Sequence, residues 1–199
     1  MPLRLLHLLA LLGLVAIGLT LWAWGQPLLS KSGAFHLWVN SIWSGENSQQ
    51  VADWYTLSHI LHGMLIALIG KALVGRGGLG AVYAVAIATG TAWEIVEHTD
   101  WVLGQFREST VYQGYLGDTV LNAVMDYVFM LGGFWVAWSL RPLLAVGLAL
   151  ALELGSAAFA RDSLSLSTLN FFFDVPWLDA WQDEINPRTH PELLEAGGS

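Results

Sequence analysis

The sequence contains no cysteine, and charged residues make up only 12% of its 199 residues. Without cysteine, disulfide frameworks, thiolate metal sites and thiol nucleophiles are all excluded. Soluble domains carry about 25% charged residues, whereas 55% of this chain is hydrophobic and its mean hydropathy is +0.53. A chain of this composition has too few polar residues to cover a surface in water. We therefore expect a membrane protein that has membrane lipids as partners.

Basic residues are scarce as well. The chain has eight lysines and arginines against sixteen aspartates and glutamates, which gives a formal net charge of −8. A nucleic-acid-binding surface needs a basic footprint. We therefore expect no nucleic-acid partner.

Long hydrophobic runs, by contrast, occupy most of the chain. A helix of about 20 residues crosses a hydrocarbon core of about 30 Å. Five apolar stretches of about that length predict transmembrane helices at residues 3–24, 54–74, 79–101, 115–138 and 143–160. Two shorter apolar segments, at about 28–43 and 164–185, are typical of interfacial helices. The sequence predicts an all-α polytopic membrane helix bundle that forms one integral-membrane domain over residues 1–199.

The distribution of charge predicts how this bundle is oriented. Basic residues accumulate in short cytoplasmic loops, and four of them flank the spans on one side: Arg4, Lys71, Arg76 and Arg141. The other side also has four, namely Lys31, Arg107, Arg161 and Arg188. The two sides therefore have equal numbers of basic residues. Because no acidic residue lies in the first group of segments, we assign that side to the cytoplasm. We expect a multi-pass protein of the bacterial inner membrane, with the N-terminus in the cytoplasm and the C-terminus in the periplasm.

Several titratable residues lie inside the predicted spans. A charge there costs about 2.5–3.5 kcal/mol on insertion scales, and such residues usually face the interior of a bundle. The second span has His59 and His62 at i and i+3, on one helix face. The third span ends with Glu94, Glu97 and His98, which also share a face.

The fourth span begins with a third polar row. Asp118, Asn122 and Asp126 follow one another at i, i+4 spacing. Spans two and four enter from outside and span three exits there, so we expect all three clusters to meet at the periplasmic end. Asp53, just before span two, and Glu153 in span five are expected to extend the same polar cleft.

This donor set suits a divalent metal such as Zn²⁺, which binds imidazole nitrogen and carboxylate oxygen. The candidate ligands are His59, His62, Glu94 and His98. A bound metal could activate water for the hydrolysis of a lipid or phosphate ester, with Asp118 and Glu97 as catalytic carboxylates. Arg107 is the nearest basic residue on the outer side and could hold a phosphate.

Other functions fit the same residues. Polar side chains near helix ends can form a hydrogen-bonded network that fixes helix packing, here in a non-catalytic subunit that docks on a larger membrane complex. A metal-free cleft could bind an anionic headgroup. A small proton-coupled transporter could use Asp126 and Glu153 as proton carriers.

Four stretches are long enough to be specific: SGENSQQVADWYTLSHILHG, WEIVEH, FRESTVYQGYLGDTVLNAVMD and RDSLSLSTLN. Together they resemble an uncharacterised bacterial inner-membrane protein family, a domain of unknown function, from about Trp43 to Gln182. The resemblance implies a fold and a location, but no activity. The chain departs from the family pattern at His98, where Asn is expected, at Gln50, where His is usual, and at Ala123, where Ser is usual. Because Asn is expected in the family at the position of His98, His98 is a weaker candidate ligand. The stronger ligand set is then His59, His62, Glu94 and Asp118.

A more distant resemblance is to VanZ-like membrane proteins, which are associated with glycopeptide resistance and the cell envelope. It rests on an Asp and a His at the start of one helix, a Glu near the end of the next, and then Arg and Asp-x-x-x-Asn. The matching positions are Asp53, His59, Glu94, Arg107, Asp118 and Asn122. This similarity implies a lipid-linked or envelope ligand at the outer leaflet.

Overall fold

The computed structural model describes residues 2–108, 111 and 115–191, and the regular structure within these ranges is helical throughout. The helices are α1 (Leu3–Ala23), α2 (Trp54–Val74), α3 (Leu79–Glu97), α4 (Asp100–Glu108), α5 (Val120–Ser139), α6 (Pro142–Ala160), α7 (Leu164–Phe172) and α8 (Pro176–Asp183). A 3₁₀ turn, Arg76–Gly78, joins α2 to α3. The predicted all-α fold is confirmed.

Five of these helices are long and apolar enough to cross a membrane, namely α1, α2, α3, α5 and α6. Their number agrees with the prediction, because hydropathy over about 20 residues is a local property of the sequence. Large apolar side chains cover the outside of the bundle, such as Leu11 on α1 and Leu143 on α6. In a multi-pass membrane protein this surface contacts lipid.

Two spans differ from the predicted boundaries. The third was expected to run to residue 101, but α3 ends at Glu97, and a separate helix, α4, begins at Asp100. The fourth was expected to begin at residue 115, whereas α5 begins at Val120. The hydroxyl of Thr119 accepts a hydrogen bond from the backbone N–H of Asn122 at 3.2 Å, which caps α5 and fixes its start.

The two interfacial segments also differ from a simple helix. Residues 28–43 contain turns and bends but no helix. Residues 164–185 form two helices, with a break before Pro176. Proline disfavours helical backbone in the residue that precedes it, and this accounts for the break.

Helices α2 and α5 form the centre of the bundle, and two glycines allow their close approach. A Cβ atom at Gly63 would overlap the backbone carbonyl of Met130, and one at Gly133 would overlap that of Ile60. Small residues let transmembrane backbones come this close. The contact brings polar residues of α2 within reach of those of α5.

The loop between α1 and α2 packs on the beginning of α5. The backbone N–H of Val120 donates to the carbonyl of Pro27 at 2.9 Å, and that of Thr119 donates to the carbonyl of Ser48 at 3.2 Å. At the other end of the bundle, the ammonium group of Lys71 donates to two carbonyls at the end of α5. Helices α2 and α5 therefore begin at the same end of the bundle, and α3 ends there. The polar residues lie at this end.

Candidate functional site

His59 lies between carboxylates from two other helices. Its Nδ1 is 3.2 Å from Glu94 Oε1 on α3, and its Nε2 is 3.9 Å from Asp126 Oδ2 on α5. Glu94 is 1% exposed and Asp126 is 2% exposed. One imidazole thus joins the three helices at the centre of the candidate site.

Glu97 adds a second carboxylate beside Glu94. One ligand atom each from His59, Glu94 and Glu97 lies within 4.8 Å of the other two. The Oε2 atoms of both glutamates are buried and have no hydrogen-bond partner within the described part of the chain. Buried carboxylate oxygens without a partner are costly, so this group is suited to accept a cation.

A capping box at the start of α2 orients Asp126, one of the carboxylates of the site. Asp53 accepts backbone hydrogen bonds from Ser48 at 2.7 Å and Tyr55 at 2.8 Å, while its own N–H donates to the Thr56 hydroxyl at 3.1 Å. The Thr56 hydroxyl then donates to Asp126 Oδ1 at 2.8 Å. Burial raises the pKa of the Asp53 carboxyl, an effect that the two backbone N–H groups oppose. Asp53 therefore orients Asp126 through Thr56.

A cavity of about 280 Å³ opens beside these carboxylates. Its polar wall includes five of the predicted site residues: His59, His62, Glu97, Asp118 and Asp126. Aromatic side chains from α3, α4 and α7 also line it, and we call them the aromatic wall: Trp93, Phe106, Phe171 and Phe172. Titratable and aromatic side chains thus border the same space.

His62 and His98 are placed differently from His59. His62 lines the cavity one turn further along α2. His98 is 5% exposed, and both of its ring nitrogens are occupied: Nδ1 donates to the Glu94 carbonyl at 2.8 Å, and Nε2 accepts from the Asp118 N–H at 3.0 Å. Because a carbonyl only accepts and an N–H only donates, His98 is the neutral Nδ1–H tautomer.

Asp118 lines the cavity, but Arg107 does not. The carboxylate of Asp118 accepts a hydrogen bond from the Tyr115 hydroxyl and lies 3.6 Å from His98 Nε2. Arg107 is exposed, and its Nε donates to the Tyr115 carbonyl at 2.6 Å. Asp118 thus shares the cavity with His59, whereas Arg107 supports the wall from outside.

Asn122 and Glu153 do not line the cavity, and both make hydrogen bonds elsewhere. The Asn122 side chain donates to the Gln50 carbonyl at 2.9 Å and attaches the first loop to α5. Glu153 accepts from the Ser163 hydroxyl at 2.8 Å and from the Ser165 N–H at 3.0 Å, at the start of α7. A carboxylate is favourable at a helix N-terminus, which accounts for the position of Glu153.

Thr56 and the aromatic wall were not foreseen from the sequence. Asp53 and Thr56 stand at the spacing of a capping box, which is a signal that could have identified Thr56. Phe106 and Phe171 are brought together only by the fold, with their ring centroids 5.6 Å apart. No spacing within one helix indicates that contact.

Comparison with known proteins assigns the chain to a family. The family model described as "Protein of unknown function (DUF2585)" matches residues 21–184. The chain belongs to this family. A UPF0314 protein of Sphingopyxis alaskensis is 37% identical over 158 residues, which cover 79% of this chain and 84% of the relative. A UPF0314 protein of Sinorhizobium fredii is 37% identical over 176 residues, covering 88% and 89%.

Membership of the DUF2585 family confirms the resemblance drawn from the four motifs. A further UPF0314 protein, of Rhizobium meliloti, is 36% identical over 178 residues, which cover 89% of this chain and 90% of the relative. No solved structure matches the chain. The family and these relatives carry no activity in their descriptions, so the function must be argued from the site itself.

Proposed function

We propose that this protein binds a divalent cation through His59, Glu94 and Glu97 and acts with it on the headgroups of lipids or other envelope molecules. The observation that carries the proposal is the convergence of these three ligand groups within 4.8 Å at one end of the bundle. The two carboxylate oxygens without partners support it.

The balance of charge around the cavity favours a cation. Three carboxylates line it, from Glu97, Asp118 and Asp126, and Glu94 lies directly behind His59. None of the described residues that line this cavity is a lysine or an arginine. Buried charges are stable only when they are paired or coordinate a metal, and a divalent ion would offset two of these carboxylates.

The surroundings of His59 suit a ligand role. Metal-binding histidines usually present their second ring nitrogen to a carboxylate or carbonyl, which fixes the ring. Asp126 lies on that second side of His59, and the Thr56 hydroxyl holds Asp126 in turn. Imidazole with carboxylates is a donor set for Zn²⁺ and for other first-row divalent ions.

The residues that line the cavity suit an amphiphilic substrate with a phosphoryl or carbonyl group. A bound cation polarises a phosphoryl or carbonyl oxygen and lowers the pKa of bound water. Asp118 lines the same cavity and is the candidate general base. The aromatic wall of Phe106, Phe171 and Phe172 would hold the apolar part of an amphiphile whose headgroup faces the carboxylates.

The position of the site in the cell belongs to the same proposal. Four basic residues lie at the end of the bundle opposite to the site: Arg4, Lys71, Arg76 and Arg141. By the positive-inside rule, that end would be cytoplasmic in the bacterial inner membrane. The N-terminus would then be cytoplasmic, the C-terminus periplasmic, and the site would serve ligands of the outer leaflet.

Elemental analysis of protein purified without an affinity tag or a chelator tests cation binding. We expect about one divalent ion per chain, and loss of most of it in His59→Ala and Glu94→Gln while the protein stays folded and monodisperse in detergent. His36→Ala, an exposed histidine in the first loop, is the matched control and should keep the ion. If folded wild-type protein neither contains nor takes up a divalent ion, the cluster is a packing network.

A further inference from the structure

The cavity of the cation site reaches the surface of the protein beside α7. Most of the described residues that line it are buried or half-buried, and only Thr168 and Phe172 among them are exposed. These two residues stand at i and i+4, on one face of α7. None of the residues of α7 is buried. The cavity therefore opens along this helix.

Exposed aromatic rings border the opening. Phe172 is 67% exposed, and Phe173, the next residue, is 63% exposed. Trp101 on α4 is exposed as well, and its ring contacts that of Phe171, with the centroids 5.4 Å apart. Large apolar side chains that are exposed together mark a surface that contacts a membrane or another apolar partner. We call the opening bordered by Trp101, Thr168, Phe172 and Phe173 the side entrance.

The side entrance continues the lipid-facing surface of the bundle. Helix α7 packs on α2 and α6. The C-terminal half of α6, which directly precedes α7 in the chain, exposes Leu154 and Phe159. Since α6 is one of the five helices that can cross a membrane, lipid that contacts these two residues also lies next to α7.

Charged residues near the side entrance fit the border between lipid and water. Two of them are sequence neighbours of the exposed rings of Trp101 and Phe173. Aromatic rings beside polar groups are typical of the membrane interface, where one side is apolar and the other is wet. We therefore expect the side entrance at the level of the lipid headgroups. The exposed charged residues of α4 and of the segment after α7 are Asp100, Arg107, Glu108 and Asp174.

The volume of the cavity limits how much of a lipid it can hold. Pockets for drug-sized ligands measure about 300–1,000 Å³, and this cavity, of about 280 Å³, lies just below that range. A headgroup fits such a space, but a headgroup together with two acyl chains does not. The chains would have to stay outside, where the exposed rings of Phe172 and Phe173 provide an apolar surface for them.

We propose that the ligand of the cation site is a bilayer lipid that enters sideways, with its headgroup passing Thr168 and Phe172 into the cavity and its acyl chains remaining in the membrane. The contact between the side entrance and the membrane is argued from the exposed rings alone. The approach of the headgroup to His59 and Glu97 rests on the proposed function.

Site-directed spin labelling of the full chain in lipid nanodiscs tests the membrane contact. Because the chain has no cysteine, one introduced cysteine carries the only label. Labels at Phe172→Cys and Phe173→Cys should collide often with lipid-soluble oxygen and rarely with the water-soluble complex nickel–EDDA. Leu154→Cys on the exposed apolar face of α6 is the lipid reference, and Glu184→Cys at an exposed carboxylate is the water reference. Entrance labels that behave like Glu184→Cys would overturn the membrane contact.

Photo-cross-linking tests whether a headgroup reaches the cavity. The probe is phosphatidylethanolamine with a diazirine on its headgroup nitrogen, and the cross-linked residues are found by mass spectrometry. We expect cross-links to cavity residues of α2 and α3, and a several-fold loss in Thr168→Trp, which would narrow the side entrance. Ser165→Trp, at an exposed position of α7 that does not line the cavity, is the matched control and should cross-link like the wild type.

A water-soluble probe distinguishes failure of the side entrance from failure of the cation site. Glycerophosphoethanolamine with the same diazirine has no acyl chains. If it cross-links the cavity of folded wild-type protein and the lipid probe does not, the ligand enters from water and sideways entry is overturned, whether or not a cation is bound. If the lipid probe cross-links the cavity of protein that binds no divalent ion, the cation site is wrong and the side entrance stands.

Discussion

His59 on α2 and Glu94 on α3 face each other across a helix interface, with 3.2 Å between Nδ1 and Oε1. An imidazole and a carboxylate at this distance can either join two helices through a hydrogen bond or hold a cation together. Their side chains are 11% and 1% exposed, respectively. The pair is therefore the place where a packing network and a cation site are most directly distinguished.

Removal of the charge of Glu94 should abolish stabilisation by a cation. A ligand that binds only the folded state stabilises it by about 2.7 kcal/mol at a hundredfold excess over its dissociation constant. We expect the wild-type melting temperature to rise when a divalent ion is added to chelator-treated protein, and Glu94→Gln to show no rise. Glu184→Gln, on an exposed side chain paired with Arg161, should respond like the wild type. An equal rise in all three proteins would contradict the ligand assignment.

His98 is expected to act in structure and not as a metal ligand, because both of its ring nitrogens are engaged. His98→Ala would leave the Asp118 N–H and the Glu94 carbonyl without that partner, at a cost of about 1–3 kcal/mol for an unsatisfied buried group. His98→Asn can still present a carbonyl oxygen to the Asp118 N–H and should cost less. Thermal unfolding measures the difference, and both variants should keep the bound ion. Loss of the ion in folded His98→Asn would restore His98 to the ligand set.

The close contact between α2 and α5 predicts an asymmetry between two adjacent glycines. A Cβ at Gly133 would overlap the backbone of Ile60, whereas one at Gly132 would meet open space. Gly133→Ala should force the helices apart, and overpacking of this kind costs about 1–3 kcal/mol or more. Gly132→Ala should have little effect. Two measurements report the difference: the fraction of monodisperse protein after membrane extraction and its melting temperature. Equal behaviour of the two variants would refute the close contact between α2 and α5 at Gly133.

Glu46 in the first loop should make stability depend on acid pH. Hydrogen bonds from the side chains of Ser32 and Gln50 hold the pKa of its carboxyl below the ordinary value of 4.5. A depressed pKa in the folded state means that the carboxylate contributes stability above pH 4.5, and that this contribution is lost as the pH falls through the folded pKa. The melting temperature of Glu46→Gln should therefore fall less than that of the wild type as the pH is lowered from about 5 to about 3. Parallel curves for the two proteins would argue against the effect.

Much of the bundle follows from local features of the sequence. The five spans are predictable because each is an apolar run of sufficient length. That Glu94 and Glu97 share a face follows from helical periodicity. Their meeting with His59 needed one further step, the alternation of span direction, which the sequence also supplies.

Other features depend on contacts that no local pattern encodes. The role of Glu153 as a proton carrier stays a prediction, and the sequence does not indicate that Ser163 and Ser165 donate hydrogen bonds to its carboxylate. The role of Arg107 as a phosphate ligand stays a prediction, and only the fold shows that Arg107 is exposed and does not line the cavity. The apolar residues at the end of α7 are too few to span a membrane, so the sequence does not indicate their role. Only their packing against α4 shows that they line the cavity.

Anomalous X-ray diffraction from crystals grown with Zn²⁺ or Mn²⁺ decides whether His59, Glu94 and Glu97 hold one cation. We expect an anomalous peak about 2.0–2.2 Å from a ring nitrogen of His59 and from carboxylate oxygens of both glutamates. The peak should be absent in Glu94→Gln crystals grown in the same way. A peak confined to exposed carboxylates, or no peak beside His59, would show that these three residues do not hold a cation.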